Sequence, residues 1–143
     1  AFQLRIADTS RLALTAGTQI PVVRDSELLT GTARLLAIPA DPRFRLTFRL
    51  YELDLTASEF AVRVYEQGTG TLLDERVLTL AAPHPERIPR FEPAYAEIPD
   101  FGSLAASGRL QVEIEPLTEG AKFWAFVSIT NNETQQITLV TPE

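Results

Sequence analysis

The chain has 143 residues, 45% of them hydrophobic and 22% charged, with a formal net charge of −6. That length suits one domain with a real core, and the acidic balance excludes general nucleic-acid binding, which needs a basic face. With no Cys, a disulfide framework, a thiolate nucleophile and a Cys-based metal site are excluded, and no run of 18 apolar residues offers a membrane-spanning helix.

Strand candidates follow one another from the first residues. Phe2, Leu4 and Ile6 alternate with Gln3 and Arg5, and successive strand side chains point to opposite faces. Arg11 to Thr15 forms a second candidate, closed by Gly17. Gln19 to Arg24 is a third, which Pro21 demotes to an edge or bulge. Asp25 to Leu29 reads as one helical turn capped by Asp25 or Ser26. These first 30 residues are expected to act as N-terminal strands or an arm.

Thr32 to Ile38 reads as a strand that stops at Pro39, and Ala40-Asp41-Pro42 is turn chemistry. Arg43 to Leu50 has the cleanest alternation: Phe44, Leu46, Phe48 and Leu50 inside, Arg43, Arg45, Thr47 and Arg49 outside. Phe60 to Tyr65 alternates again, and Gln67-Gly68-Thr69-Gly70 turns it into Leu72 to Leu80. Five prolines between Ala81 and Pro99 mark an extended crossing, with a short strand at Tyr95 to Ile98. Ser103 to Ser107 reads as a helical turn. Arg109 to Glu115 alternates strictly.

Lys122 to Thr141 closes the chain as a hairpin. Phe123, Ala125, Val127 and Ile129 give its first strand one wholly apolar face; Trp124, Phe126 and Ser128 lie on the mixed one. Asn131 and Asn132 open the turn, and Ile137 to Thr141 returns.

About nine short strands at this spacing, with no long amphipathic helix, predict an all-β antiparallel two-sheet β-sandwich, immunoglobulin-like or jelly-roll-like, in a single domain over residues 1–143.

Chemistry-bearing residues are sparse. His84 is the only His and sits between Pro83 and Pro85, the setting of a solvated turn residue rather than a catalytic base. No phosphate loop, metal set or cofactor motif is present. Arg43, Arg45 and Arg49 are candidate contacts for an anionic polysaccharide, or else pair across strands with carboxylates such as Glu113 and Glu115. Trp124 with Tyr51, Tyr65 and Tyr95 is a candidate sugar platform, or else core. Phe2, Leu4 and Ile6 are candidates for an intermolecular strand.

The segments FRLTFRLYELD, FAVRVYEQGTGTLLDERVLTL, GRLQVEIEP and KFWAFVSITNNETQQITLVTP resemble an immunoglobulin-like β-sandwich domain of secreted bacterial surface proteins, over roughly residues 31 to 141. The resemblance implies an exported accessory or surface module and carries no catalytic residue. The chain also lacks Met, even at position 1, so it is expected to be processed or excised, and extracellular or at the cell surface after loss of a signal peptide. The expected function is a non-enzymatic structural or adhesive module, joined into a homo-oligomer or filament through a β-edge. A carbohydrate-binding module is the alternative, and a carboxylate-dependent glycoside hydrolase the third reading.

Overall fold

The computed structural model describes residues 4–6, 18–54, 56–82, 94–101 and 108–143. The strand expected at Arg11 to Thr15, His84, most of the proline-rich crossing, the turn at Ser103 to Ser107 and Phe2 lie outside them. Strands β1 (Leu4–Ile6) and β2 (Thr18–Ile20) form a separate antiparallel pair. Leu4 and Ile6 thus face β2 of their own chain, opposite Ile20 and Thr18. The helical turn expected at Asp25 to Leu29 is a shorter 3-10 turn, Asp25–Glu27, with Arg24 rather than Asp25 or Ser26 at its N-cap position.

Eight strands follow: β3 (Ala33–Pro39), β4 (Phe44–Glu52), β5 (Ser58–Glu66), β6 (Leu72–Leu80), β7 (Ala94–Pro99), β8 (Arg109–Pro116), β9 (Phe123–Asn131) and β10 (Ile137–Val140). They form two four-stranded antiparallel sheets, ordered β10-β9-β4-β7 and β3-β8-β5-β6. The two-sheet sandwich expected from the alternation is the fold observed. Only β5–β6 and β9–β10 are hairpins; every other connection carries the chain from one sheet to the other.

The core lies between the sheets. Leu46, Phe48 and Leu50 of β4 and Phe123, Ala125 and Val127 of β9 meet Phe60 and Val62 of β5 and Val112 and Ile114 of β8, all almost fully buried. Phe60 and Phe123 make an edge-to-face contact across the gap, with ring centroids 5.2 Å apart. Such a contact is worth about 0.5–1.5 kcal/mol beyond area burial. Period two carries Glu52 inward as well. It is fully buried at the end of β4, where its Oε1 accepts the Asp54 backbone N–H at 2.8 Å.

The outer face of β3-β8-β5-β6 is charged. Glu75, Arg63, Glu113 and Arg34 lie directly opposite one another across β6, β5, β8 and β3, with alternating sign. Arg63 binds Glu75 at 2.6 Å and Glu115 at 2.7 Å, and Arg34 binds Glu113 at 2.8 Å. The Arg63 guanidinium is held above its ordinary range by Glu115 first and Glu75 next.

Three of the four sheet edges, β6, β3 and β7, carry features that oppose further pairing. On β6, Asp74 and Arg76 sit opposite Val64 and Val62, on the core side, and pair with each other at 2.7 Å. Inward charges on an edge strand oppose pairing with another chain. On β3 the register shifts between Leu35 and Ile38, Ala37 takes φ +59°, and its N–H bonds the Gln67 side chain. Beside it, Glu143 donates its N–H to the Arg34 carbonyl. Strand β7 ends in Pro99, which cannot extend a ladder.

Two outcomes test this packing. Phe48→Ala should cost about 3–5 kcal/mol in urea unfolding, the usual loss for a buried Phe, whereas Tyr95→Ala, 60% exposed, should cost no more than about 1.5 kcal/mol, the worth of its ring contact with Tyr51. Ala37→Gly should be neutral or raise stability by up to about 1 kcal/mol, because relief of a left-handed Ala, about 1–2 kcal/mol, outweighs the 0.4–1 kcal/mol by which Gly favours the unfolded chain.

Candidate functional site

The outer face of β10-β9-β4-β7 has a different character. Reading straight across the strands, Tyr95, Tyr51 and Trp124 form one row on β7, β4 and β9. Glu97, Arg49 and Phe126 form the next. Pro99, Thr47, Ser128 and Leu139 form the third, and Arg45, Thr130 and Ile137 the fourth. The aromatic side chains are therefore gathered at one end of the sheet, with Leu139 and Ile137 of β10 along one side.

They touch one another. Tyr51 lies 5.9 Å from Tyr95 and 6.1 Å from Phe126 between ring centroids, tilted by 34° and 24°. Both spacings fall within the range of favourable aromatic pairs. Tyr95 is mostly exposed, Ile137 is 40% exposed, and Tyr51, Trp124, Phe126 and Leu139 are half-buried. The sandwich core covers none of them, since each sits on the face turned away from it.

An open groove of about 560 Å³ runs over this face. Its floor is Tyr51, Trp124, Phe126, Ser128 and Leu139, with Arg49, Leu53 and Ile137 at its margins. Pro21 and Val23 complete the lining from the segment that follows β2. Sequence reasoning named Trp124, Tyr51 and Arg49 but missed Pro21, Val23, Ile137 and Leu139. Their only signal was local: apolar residues beside Pro21 in the arm, and a final strand apolar on both faces.

Trp124 is thus neither core nor free platform. Its indole N–H is covered and has no acceptor among the described residues, so the ring presents carbon to the groove and withholds its one donor. Ser128, Arg49 and the Tyr51 hydroxyl are the polar groups of the lining. Arg49 is engaged with Glu97 at 2.6 Å, directly opposite it on β7. Glu97 first, and Tyr51 after it, hold its guanidinium above the ordinary range.

The three strand arginines do not act together. Arg43 grips Asp41 within the β3–β4 turn, at 2.6 Å from Nη2 to Oδ2, and its guanidinium lies 5.8 Å from the Phe44 ring centre. Arg45 is exposed, opposite Thr130. The pairing expected with Glu113 and Glu115 does not occur, because β4 and β8 belong to different sheets. Those carboxylates serve Arg34 and Arg63 instead. Tyr65, too, lies on the other sheet, opposite Gln111.

The Arg43 side chain holds the Asp41 carboxyl below the ordinary carboxylate value, and the Arg43 backbone N–H adds to the effect. A lowered folded pKa gives stability that is present above the unfolded value of 3.8 and is lost as pH falls through the folded one. Asp41→Asn should therefore be less stable than the parent at pH 7, and the difference should vanish in acid, as measured by denaturant melts across pH.

Compared with protein-family models, with curated proteins and with solved structures, the chain matches none.

Proposed function

We propose that this chain is a non-enzymatic adhesive module of the extracellular space, which docks an apolar protein segment on the outer face of β10-β9-β4-β7. The observation that carries the reading is the groove itself. An aromatic and aliphatic surface of this kind on the outside of a sandwich, rimmed by charge, is the mark of an interaction site. The extracellular setting rests on the resemblance to domains of secreted bacterial surface proteins.

The lining favours a protein segment over a saccharide. Sugar hydroxyls need several hydrogen-bonding partners, and the groove offers few. Its described lining holds no carboxylate, which is the equipment a glycosidase needs in pairs. Elsewhere seven described carboxylates are engaged in ion pairs: Asp41 with Arg43, Asp54 with Lys122, Asp74 with Arg76, Glu97 with Arg49, and Glu75, Glu113 and Glu115 with Arg63. The guarded edges of β3 and β6 favour docking on a face rather than by strand addition.

Trp124, as the only Trp, reports on the groove directly. Anilinonaphthalene sulfonate, an apolar dye, should bind near it and take up its excitation energy. Phe126→Ser should weaken that binding roughly ten-fold, equivalent to about 1.4 kcal/mol, while a panel of soluble polysaccharides leaves the emission unchanged. A saturable response to a polysaccharide would replace this reading with the carbohydrate-binding one. No energy transfer to the dye would remove the groove as a docking surface.

A further inference from the structure

The groove already holds a piece of chain, and that piece shows what fits it. After β2 the backbone continues as Pro21, half-buried, Val22, 51% exposed, Val23, half-buried, and Arg24, exposed. Alternate side chains of an extended segment point the same way. Pro21 and Val23 point into the groove, beside Tyr51, Trp124, Phe126 and Leu139. Pro21 also lines a shallower recess of about 310 Å³ with Ile137, Leu139 and Thr141. Strand β2 lies against β10. The occupant is an extended peptide with apolar side chains at every second position.

Among the described residues, the arm meets the groove through the side chains of Pro21 and Val23. Strands β1 and β2 pair with each other and belong to neither four-stranded sheet. A two-stranded ribbon alone is marginally stable. Among the described residues, the arm reaches backbone hydrogen bonding with the sandwich at Leu29, which exchanges two bonds of 2.9 Å with Phe123. Between the groove and that anchor lies the 3-10 turn. Its bonds are local, Glu27 N–H to the Arg24 carbonyl and Arg24 N–H to Glu27 Oε2, and it buries no residue. The hinge can reorient without opening the core.

We propose that the arm is exchangeable: residues 18–23 of one copy seat in the groove of a second copy, and the second copy's arm returns the contact. This rests on the reading of the groove as a docking surface, and it names the occupant. Pro21 and Val23 make in the partner the contacts they make at home, so the groove gains nothing and loses nothing by the swap. The balance is set by hinge geometry and by effective concentration, which for a short tether is of millimolar order. Home docking prevails in dilute solution. Exchange takes over when copies are crowded or fixed side by side.

The absence of Cys from the chain makes the test clean. The double variant Pro21→Cys/Leu139→Cys should close an internal disulfide when dilute. Mixing the full-length single variants Pro21→Cys and Leu139→Cys at roughly 1 mM under oxidising conditions should give a covalent heterodimer at least about ten-fold above a Val77→Cys and Leu139→Cys control, and the same mixture oxidised when dilute should give none above that control. A third sample offers the Leu139→Cys chain a synthetic peptide of residues 18–24 carrying Cys at position 21. Heterodimer no greater than the control, with the peptide captured, overturns arm exchange and leaves docking intact. No internal disulfide and no capture of either probe overturns both.

Discussion

Phe60 and Phe123 meet edge to face between the sheets, and the register on either side of that contact decides what every other face of the molecule presents. A strand has two faces, and sliding its register by one residue exchanges them. With Phe123 inward, Ala125, Val127 and Ile129 must follow it into the core, and Trp124, Phe126 and Ser128 must face outward. With Phe48 inward opposite Val127, Arg49 and Tyr51 are sent outward beside Phe126 and Trp124. The aromatic outer face is therefore a consequence of core register, not an independent feature. It exists because β9 carries apolar residues at odd and even positions alike.

The two outer faces show why this matters. On β3-β8-β5-β6, the residues opposite to the core positions are Glu75, Arg63, Glu113 and Arg34. Their alternating signs satisfy one another across four strands, and the face is content in water. Exposed pairs of this kind add little stability, but they keep the middle of the face polar, with Val77 on β6 its exposed apolar residue. On β10-β9-β4-β7 the equivalent positions hold Tyr95, Tyr51, Trp124 and Phe126. One face is dominated by paired charge and the other by aromatic and aliphatic side chains.

Much of this was legible in the sequence, and the boundary of legibility is physical. Alternation is local, so the strands of the two sheets emerged within a residue or two: Leu72 to Leu80 coincides with β6, and Arg43 to Leu50 lies almost wholly within β4, whereas the candidate Gln19 to Arg24 is a strand only over Thr18–Ile20. The split of Phe123 from Trp124 onto opposite faces was legible for the same reason. Sheet membership was not. The chain crosses between sheets at five of its seven sandwich connections, and nothing local marks which neighbour a strand will choose. Arg43, Arg45 and Arg49 were thus matched to Glu113 and Glu115 across a gap that the sheets keep open, while Arg49 found Glu97 on the short strand after the prolines. The same limit hid half of the groove. Pro21 and Val23 are separated from Leu139 by more than a hundred residues, and only the fold brings them to one wall.

The arm follows from these constraints. An apolar outer face costs free energy in water, roughly 25 cal/mol for each Å² left uncovered, so some cover is favoured. A sheet edge would be a tighter cover, since a ladder supplies backbone hydrogen bonds, but β3 and β6 are closed to it by a bulge and by inward charge. The cover observed at the groove is by the side chains of Pro21 and Val23, and Pro21 suits it because proline has no N–H to leave unmet. Cover of that kind is specific in shape and weak in attachment. Under the proposed exchange it shields the aromatic row while the molecule is alone and yields to an equal segment with the core undisturbed. Register in the core thus reaches, through the face it exposes, to the surface that Pro21 and Val23 line.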